Sequence, residues 1–261
     1  MLRFKSLGSG SSGNATLIES TQGTHTTRLL IDCGLRLRDL ELRLFQAGTS
    51  IQALDGVFIT HEHGDHIGST RSLLKRHPMP VWMSRGTLQA VETPQWLAFL
   101  RYVRTAQDGM PIELNGLQLL PFTVPHDARE PLQLSCSDGN RKLGVITDLG
   151  HVTHHTVQAL QNCHAVVLEA NHDTDLLEKS SYPHFLKQRV GGKWGHLANP
   201  ASADLLARIA HPGLSCVVAA HLSERNNTPE LAREHLSQAL KCSRSEIEVA
   251  TPDSGTVWFK V

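Results

Sequence analysis

Short apolar runs recur along the chain, each stopped by a glycine or a polar cluster. Runs at residues 2–7, 15–20, 29–31 and 57–59 have the length and composition of buried strands. Residues 67–77 then predict a helix stopped by Pro78. A short strand at 80–83 and a helix at 87–92 follow, while 95–103 fits helix and strand equally. A second series begins at 112–114 and 117–124, paired as a hairpin because Asn115-Gly116 suits a tight type I′ turn. A further hairpin joins 132–135 to 142–147 through Asp138-Gly139-Asn140. Helices at 153–160, at 201–209 and from about 229 to 240 alternate with strands at 165–169, 216–220, 247–250 and 256–260. The pattern is a strand-rich half, a helix, and a second strand-rich half.

The candidate chemistry sits where these runs stop. After 57–59 comes Thr60-His61-Glu62-His63-Gly64-Asp65-His66, which places four metal-binding side chains, His61, His63, Asp65 and His66, within six positions. A helical zinc site would space its histidines i and i+4. The spacing here is i, i+2, i+4, i+5, which predicts a loop that offers two groups to one metal and two to another. Gly64 is expected to give that loop its backbone freedom. The chain has sixteen histidines, so one alone carries little weight; a four-ligand cluster behind an apolar strand does. Other strands deliver Asp32, His126, Asp148 and His221 in the same way. Taken singly, Asp32 also fits a turn before Gly34, and Asp148 a helix cap ahead of 153–160.

Charge and composition narrow the reading. Lys plus Arg and Asp plus Glu both number 25, so no global basic field favours nucleic acid, although a local groove stays open. Residues 178–195 interleave Lys179, Lys187, Arg189 and Lys193 with Tyr182, Phe185 and Trp194. That mixture suits a single-stranded nucleic-acid surface and equally a solvated helix face. Arg36, Arg38 and Arg43 read as a solvated face. Gly8-Ser9-Gly10-Ser11-Ser12-Gly13-Asn14 reads first as a hairpin turn and second as an anion cradle. Five scattered cysteines without a CxxC pair predict reduced thiols, mostly in the core. No signal-peptide pattern and no run of membrane-spanning length are present, which predicts a cytoplasmic protein without a membrane partner. No linker divides the chain, so residues 1–261 are expected to form a single domain. The sequence leaves the oligomeric state open.

His61-x-His63-x-Asp65-His66 resembles the signature of the metallo-β-lactamase fold hydrolases. Leu7-Gly8-Ser9-Gly10-Ser11-Ser12-Gly13-Asn14, Glu169-Ala170-Asn171-His172-Asp173, and His221-Leu222-Ser223 followed by Asn226-Asn227 resemble the YycJ/WalJ (VicX)-like branch. The resemblance implies an α/β fold, a four-layered αβ/βα sandwich of two mixed sheets flanked by helices, without a β-CASP insertion. It implies that His61, His63 and His126 hold one divalent ion and that Asp65, His66 and His221 hold a second. Asp148 would bridge the two, and Asp32 would hydrogen-bond behind them. Imidazole donors suit zinc, and the carboxylates let manganese or iron compete. Gly195-His196-Leu197-Ala198-Asn199 resembles the His-x-Thr-type box of nuclease-like members, with Ala198 where a hydroxyl is usual. Asp65, Asp148 and His196 are thus the expected catalytic residues, His196 as general acid. The implied function is hydrolysis of a phosphodiester in DNA or RNA, exonucleolytic or otherwise, by a metal-bridging hydroxide. Expected substrate contacts are Ser12, Asn14, Asn171, Lys187, Arg189, Lys193 and Asn199. The alternatives are hydrolysis of a small ester, lactone, thioester or cyclic nucleotide, or a non-catalytic metal-binding accessory of a signalling pathway. A full set of seven ligands argues against the last.

Overall fold

A computed structural model describes residues 1–261. Two seven-stranded sheets lie face to face. The first contains β1 (Leu2–Gly8), β2 (Ala15–Gln22), β3 (His25–Ile31), β4 (Gly56–Phe58), β5 (Val81–Met83), β6 (Val103–Thr105) and β14 (Phe259–Lys260), in the order β14-β1-β2-β3-β4-β5-β6. The second contains β7 (Ile112–Leu114), β8 (Leu117–Thr123), β9 (Leu132–Ser137), β10 (Lys142–Ile146), β11 (Ala165–Glu169), β12 (Cys216–Ala220) and β13 (Ile247–Val249), in the order β13-β12-β11-β10-β9-β8-β7. Each sheet is antiparallel on one side and parallel on the other. In the first, β3, β4, β5 and β6 run parallel; in the second, β10, β11, β12 and β13 do. The αβ/βα sandwich of two mixed sheets is therefore as expected.

Three apolar layers hold the sheets and helices together. Between the sheets, Phe4, Ile18, Leu29, Ile31 and Phe58 meet Leu119, Leu134, Leu143, Val145, Val167 and Val218. On the outer face of the first sheet, Leu30 and Val57 pack against α1 (Leu37–Gln46) and α3 (Thr70–Arg76). On the outer face of the second, Ile146, Val166, Leu168 and Val217 pack against α5 (His154–Leu160), α8 (Asn199–Ile209) and α9 (Pro229–Leu240). Central strands with both faces covered need apolar residues at successive positions, which is why β11 is buried throughout.

Local corrections follow from packing. The helix expected over 67–77 is two pieces, α2 (Gly64–Ile67) and α3, broken at Gly68-Ser69. The second half of the metal motif is thus helical rather than loop. Gly64 opens α2 without a positive φ, and a Cβ there would meet nothing within 4 Å, so its conformational freedom is not what shapes the motif. The ambiguous stretch resolves into a 3₁₀ turn at Leu97–Tyr102 leading into β6, after α4 (Arg85–Val91). Thr153, not Asp148, caps α5, its hydroxyl accepting from Thr156 N at 3.0 Å. Arg43 does not belong to a solvated face: its guanidinium donates to the carbonyls of Leu7 and Pro252, each at 2.7 Å. Segment 178–195 becomes the end of α6 (Thr174–Lys179), then α7 (His184–Val190), then a glycine-bounded strap to Gly195. The final strand is two residues, shorter than expected.

Candidate metal centre

All the predicted ligands converge at one end of the sandwich, because each follows the C-terminal end of a strand. His61 Nε2 lies 3.0 Å from His63 Nδ1, and His126 Nε2 lies 3.3 Å from the same atom. Beside this trio, Asp65 Oδ2 is 3.5 Å from His66 Nε2 and 3.5 Å from His221 Nε2. Asp148 stands between the sets, with Oδ2 2.9 Å from His66 Nε2 and Oδ1 3.8 Å from His126 Nε2. Within each of three groups, His61/His63/His126, Asp65/His66/His221 and His61/His66/Asp148, the donor atoms lie within 4.8 Å of one another.

What turns these donors inward is the partner on the far side of each ring. Thr60 Oγ1 lies 3.0 Å from His61 Nδ1, and the Gly195 carbonyl accepts from His126 Nδ1 at 2.9 Å. Asp32 Oδ2 takes His66 Nδ1 at 2.7 Å, and Glu169 Oε1 takes His221 Nδ1 at 3.2 Å. With the outer nitrogen occupied as a donor, each of these four rings turns its other nitrogen to the centre, which is the tautomer a metal ligand needs. Asp32 is itself fixed by Thr60, whose backbone N–H and hydroxyl both donate to it at 2.8 and 3.0 Å.

The charges divide the four rings into two kinds. Burial pushes the His61 ring well below its usual range and that of His126 down as well, so both keep bare nitrogens at neutral pH. Burial opposes the charged forms of His66 and His221 too. For His66, Asp148 and Asp32 outweigh that cost and hold it well above the usual range; Asp148, Asp65 and Glu169 raise His221 to about 10. Burial likewise disfavours the Asp65 and Asp148 carboxylates, yet neighbouring imidazoles hold both well below the ordinary carboxylate range. Asp148 Oδ2 is buried, and its close partner is His66 Nε2 at 2.9 Å. A buried, ionised oxygen is costly unless a cation faces it, a part that His66 plays without metal and a divalent ion would play better. The donor set therefore fits divalent metal: ionised carboxylates, inward imidazole nitrogens and a buried central carboxylate oxygen that the charged His66 ring faces at 2.9 Å in the metal-free protein.

Glu169 opens a motif that the sequence left undecided between groups supporting the site and polar loop residues, and the structure puts it in the site. It ends β11 fully buried and binds His196 Nδ1 at 2.8 Å as well as His221. Its other oxygen accepts from Leu149 N at 2.8 Å and Leu197 N at 3.1 Å. One carboxylate thus ties the Asp148 loop, the His196 loop and the last ligand together. The Gly8–Asn14 segment is also more than a turn. Ser9 Oγ accepts from His221 N at 2.7 Å, while Asn14 N donates to the Asp65 carbonyl at 2.7 Å and its side chain reaches His66 Nε2 at 3.1 Å.

Above the ligands opens a cavity of about 420 Å³, lined by His63, Asp65, Asp148, His196 and His221 below and by Ser11, Tyr182, Leu186 and Arg189 at the sides. His196 faces it with 22% of its side chain exposed. Burial disfavours its charge, but Glu169 and Asp148 raise its pKa above the usual histidine value. Arg189 lines the wall and pairs with Asp127 at 2.7 Å. The other expected substrate contacts scatter. Ser12 is exposed beside Ser11, Lys193 is exposed, and Lys187 bonds back to the Glu178 carbonyl. Asn14, Asn171 and Asn199 are buried, Asn171 holding the His221 carbonyl at 2.8 Å and Asn199 pairing with Asn227 at 2.9 Å.

Residues 27–221 match the model of the beta-lactamase superfamily domain. The chain is 34% identical over 245 residues to exodeoxyribonuclease YycJ of Bacillus anthracis, covering 92% of this chain and 89% of that one. It is 28% identical to exodeoxyribonuclease WalJ of Streptococcus pneumoniae, covering 97% and 96%. Among solved structures, the metallo-beta-lactamase fold protein YhfI of Bacillus subtilis superposes with a TM-score of 0.73 at 15% identity over the whole of both chains. Zn(2+)-bound PqqB of Methylobacterium extorquens gives 0.74 at 17% identity, covering 99% and 100%. At these identities the two structures speak for the fold.

Proposed function

Because the chain belongs to the beta-lactamase superfamily and matches two exodeoxyribonucleases over about nine-tenths of its length or more, we propose that it is a metal-dependent nuclease cleaving phosphodiesters in nucleic acid. The observation that supports the metal requirement is the buried, ionised Asp148 carboxylate between two sets of inward-turned imidazoles. His61, His63 and His126 would hold one divalent ion and Asp65, His66 and His221 a second, with Asp148 between. Zinc is the first choice for so many imidazoles, with manganese or iron as competitors. Two such ions would supply a water acidic enough to attack at neutral pH and would offset the charge of the phosphate.

The chain's own residues do the rest. Asp65 accepts a hydrogen bond from the attacking water and aligns it. Arg189, on the cavity wall, offers a guanidinium whose fork matches a phosphate, in exchange with Asp127. His196 carries the proton that the leaving oxygen takes up, since the Glu169 and Asp148 carboxylates favour its charged form and Glu169 fixes its Nδ1. The buried Thr60–Asp32 and Glu169 contacts lock the ligand rings, so the site is formed before substrate arrives.

The test is cleavage of end-labelled single- and double-stranded DNA and RNA with added zinc, manganese or iron, wild type beside Asp148→Ala. Cleavage abolished in Asp148→Ala is the expected result, and the product ladder separates exonucleolytic from endonucleolytic action. No cleavage of any polymer with any metal would overturn the nuclease reading and leave small phosphodiesters and lactones as the substrates to try.

A further inference from the structure

Of the three solvent-exposed phenylalanine and tryptophan side chains, Phe45, Phe185 and Trp194, two adjoin in the chain residues that line the metal cavity, Leu186 and Gly195. Trp194 is 62% exposed although the chain around it is firmly held. Its neighbour Gly195 lines the cavity, bonds Gly192 O at 2.9 Å and gives its own carbonyl to His126 at 2.9 Å. On the other side, the Lys193 carbonyl accepts from His151 Nδ1 at 2.9 Å. Gly150 packs so closely that a Cβ there would lie 2.2 Å from that carbonyl. The indole therefore stands in water at the end of a braced strap, with one edge contact to the His151 ring at 6.4 Å. Phe185, 71% exposed, precedes Arg189 by four positions on α7 and so shares its face of the helix. Lys193 makes no ion pair, which leaves its charge available beside the indole.

We propose that Trp194, with Phe185 on α7, is a stacking platform for unpaired nucleobases, and that the enzyme engages its substrate through single-stranded nucleotides next to the scissile bond. The proposal rests on the nuclease reading above. A flat, fixed, exposed indole beside a cation presents what a base and its phosphate need, and it accepts any base because each has a π-face. Bases inside a duplex are already stacked on both sides, so the platform serves single strands, overhangs and frayed ends. Stacking there would hold the strand while Arg189 takes the phosphate and His196 faces the leaving oxygen.

The experiment compares wild type, Trp194→Ala and Trp194→Phe, metal-loaded, on two single strands. One is an ordinary oligonucleotide; the other carries abasic nucleotides near both ends. Both kcat/KM and binding by fluorescence anisotropy are read. On the ordinary strand Trp194→Ala should lose roughly tenfold in kcat/KM and in affinity, and Trp194→Phe should keep most of both. On the abasic strand the three proteins should behave alike. Equal losses on both strands, or no loss on either, would overturn the proposal while leaving the nuclease reading intact. If no protein cleaves but binding still depends on the base and on Trp194, the nuclease reading fails and the platform stands. Absence of both cleavage and binding overturns the two together, and points instead to a protein partner for the exposed rings.

Discussion

Glu169 is fully buried and nevertheless ionised. Burial favours its neutral form, but His196 and His221 hold its pKa down to about 2. It accepts from both rings and from two backbone N–H groups, so it fixes the proposed general acid and a proposed ligand at once. Replacing it with glutamine keeps the shape and removes the charge. We expect Glu169→Gln to lower kcat/KM about 10- to 100-fold, the usual cost of losing a ligand's hydrogen-bonded support. Because Glu169 is a principal cause of the raised His196 pKa, the alkaline limb of the pH–rate profile should also move to lower pH. A variant with an unmoved profile would show that His196 is not the acid. The convergence of the proposed ligands was legible in the sequence because their spacing is unusual and each follows an apolar run. Glu169 was only half legible: its motif resembles the branch, but a glutamate at the end of a buried strand reads equally as a residue returning to solvent. Only the fold shows that this strand end meets two imidazoles.

At the scale of elements, the site is built by strands that end abruptly. Asp32 after β3, Asp148 after β10 and His221 after β12 take φ of 62°, 54° and 54°. Side chains other than glycine seldom adopt this left-handed region, and each instance costs about 1–3 kcal/mol. The hydrogen bonds of Asp32 to Thr60 and of Ser9 to His221 N offset that strain and turn the side chains back over the sheet ends. A second requirement is close approach. A Cβ on Gly34 would lie 1.6 Å from the Asp65 carbonyl, whereas one on Gly64 would meet nothing. Gly34→Ala should therefore force α2 away from the β3 end, destabilise the protein by about 1–3 kcal/mol and weaken metal binding more than tenfold. Gly64→Ala should change stability by no more than about 0.5 kcal/mol and leave metal affinity alone. Thermal melts and metal titrations of the pair decide it; the reverse ranking would mean that Gly64, not Gly34, shapes the motif. Sequence pattern located nearly every strand but singled out the wrong glycine. Periodicity reports which residues face a core, and is silent on which backbones touch. For the same reason Gly8–Asn14 read as a turn, although it braces Asp65, His66 and His221, and Arg43 read as surface, although it joins three segments of chain.

Across the whole molecule, the two sheets bring like charges together at one end and leave the metal-free protein to neutralise them with protons. His221 is raised to about 10, and His66 stands well above the usual histidine range. A folded pKa above the unfolded one of about 6.5 means that the native state binds the extra proton between those values. The resulting stabilisation is complete below about pH 6.5 and is lost as pH rises through about 10. Metal binding has the opposite dependence, because His66 and His221 must give up the protons facing the centre before they can ligate. Loading should thus release protons at neutral pH, and affinity should climb with pH from about 6.5 towards 10. Ligand binding adds stability in proportion to the logarithm of affinity. The melting temperature of the metal-free protein should accordingly fall across that interval, while the gap to the loaded protein widens. Calorimetry of metal binding in two buffers of different ionisation enthalpy counts the protons directly, and melts at pH 6, 7.5 and 9 follow the gap. No proton release together with a constant gap would mean that the two imidazoles are already neutral without metal, and that burial rather than the carboxylates governs their charge.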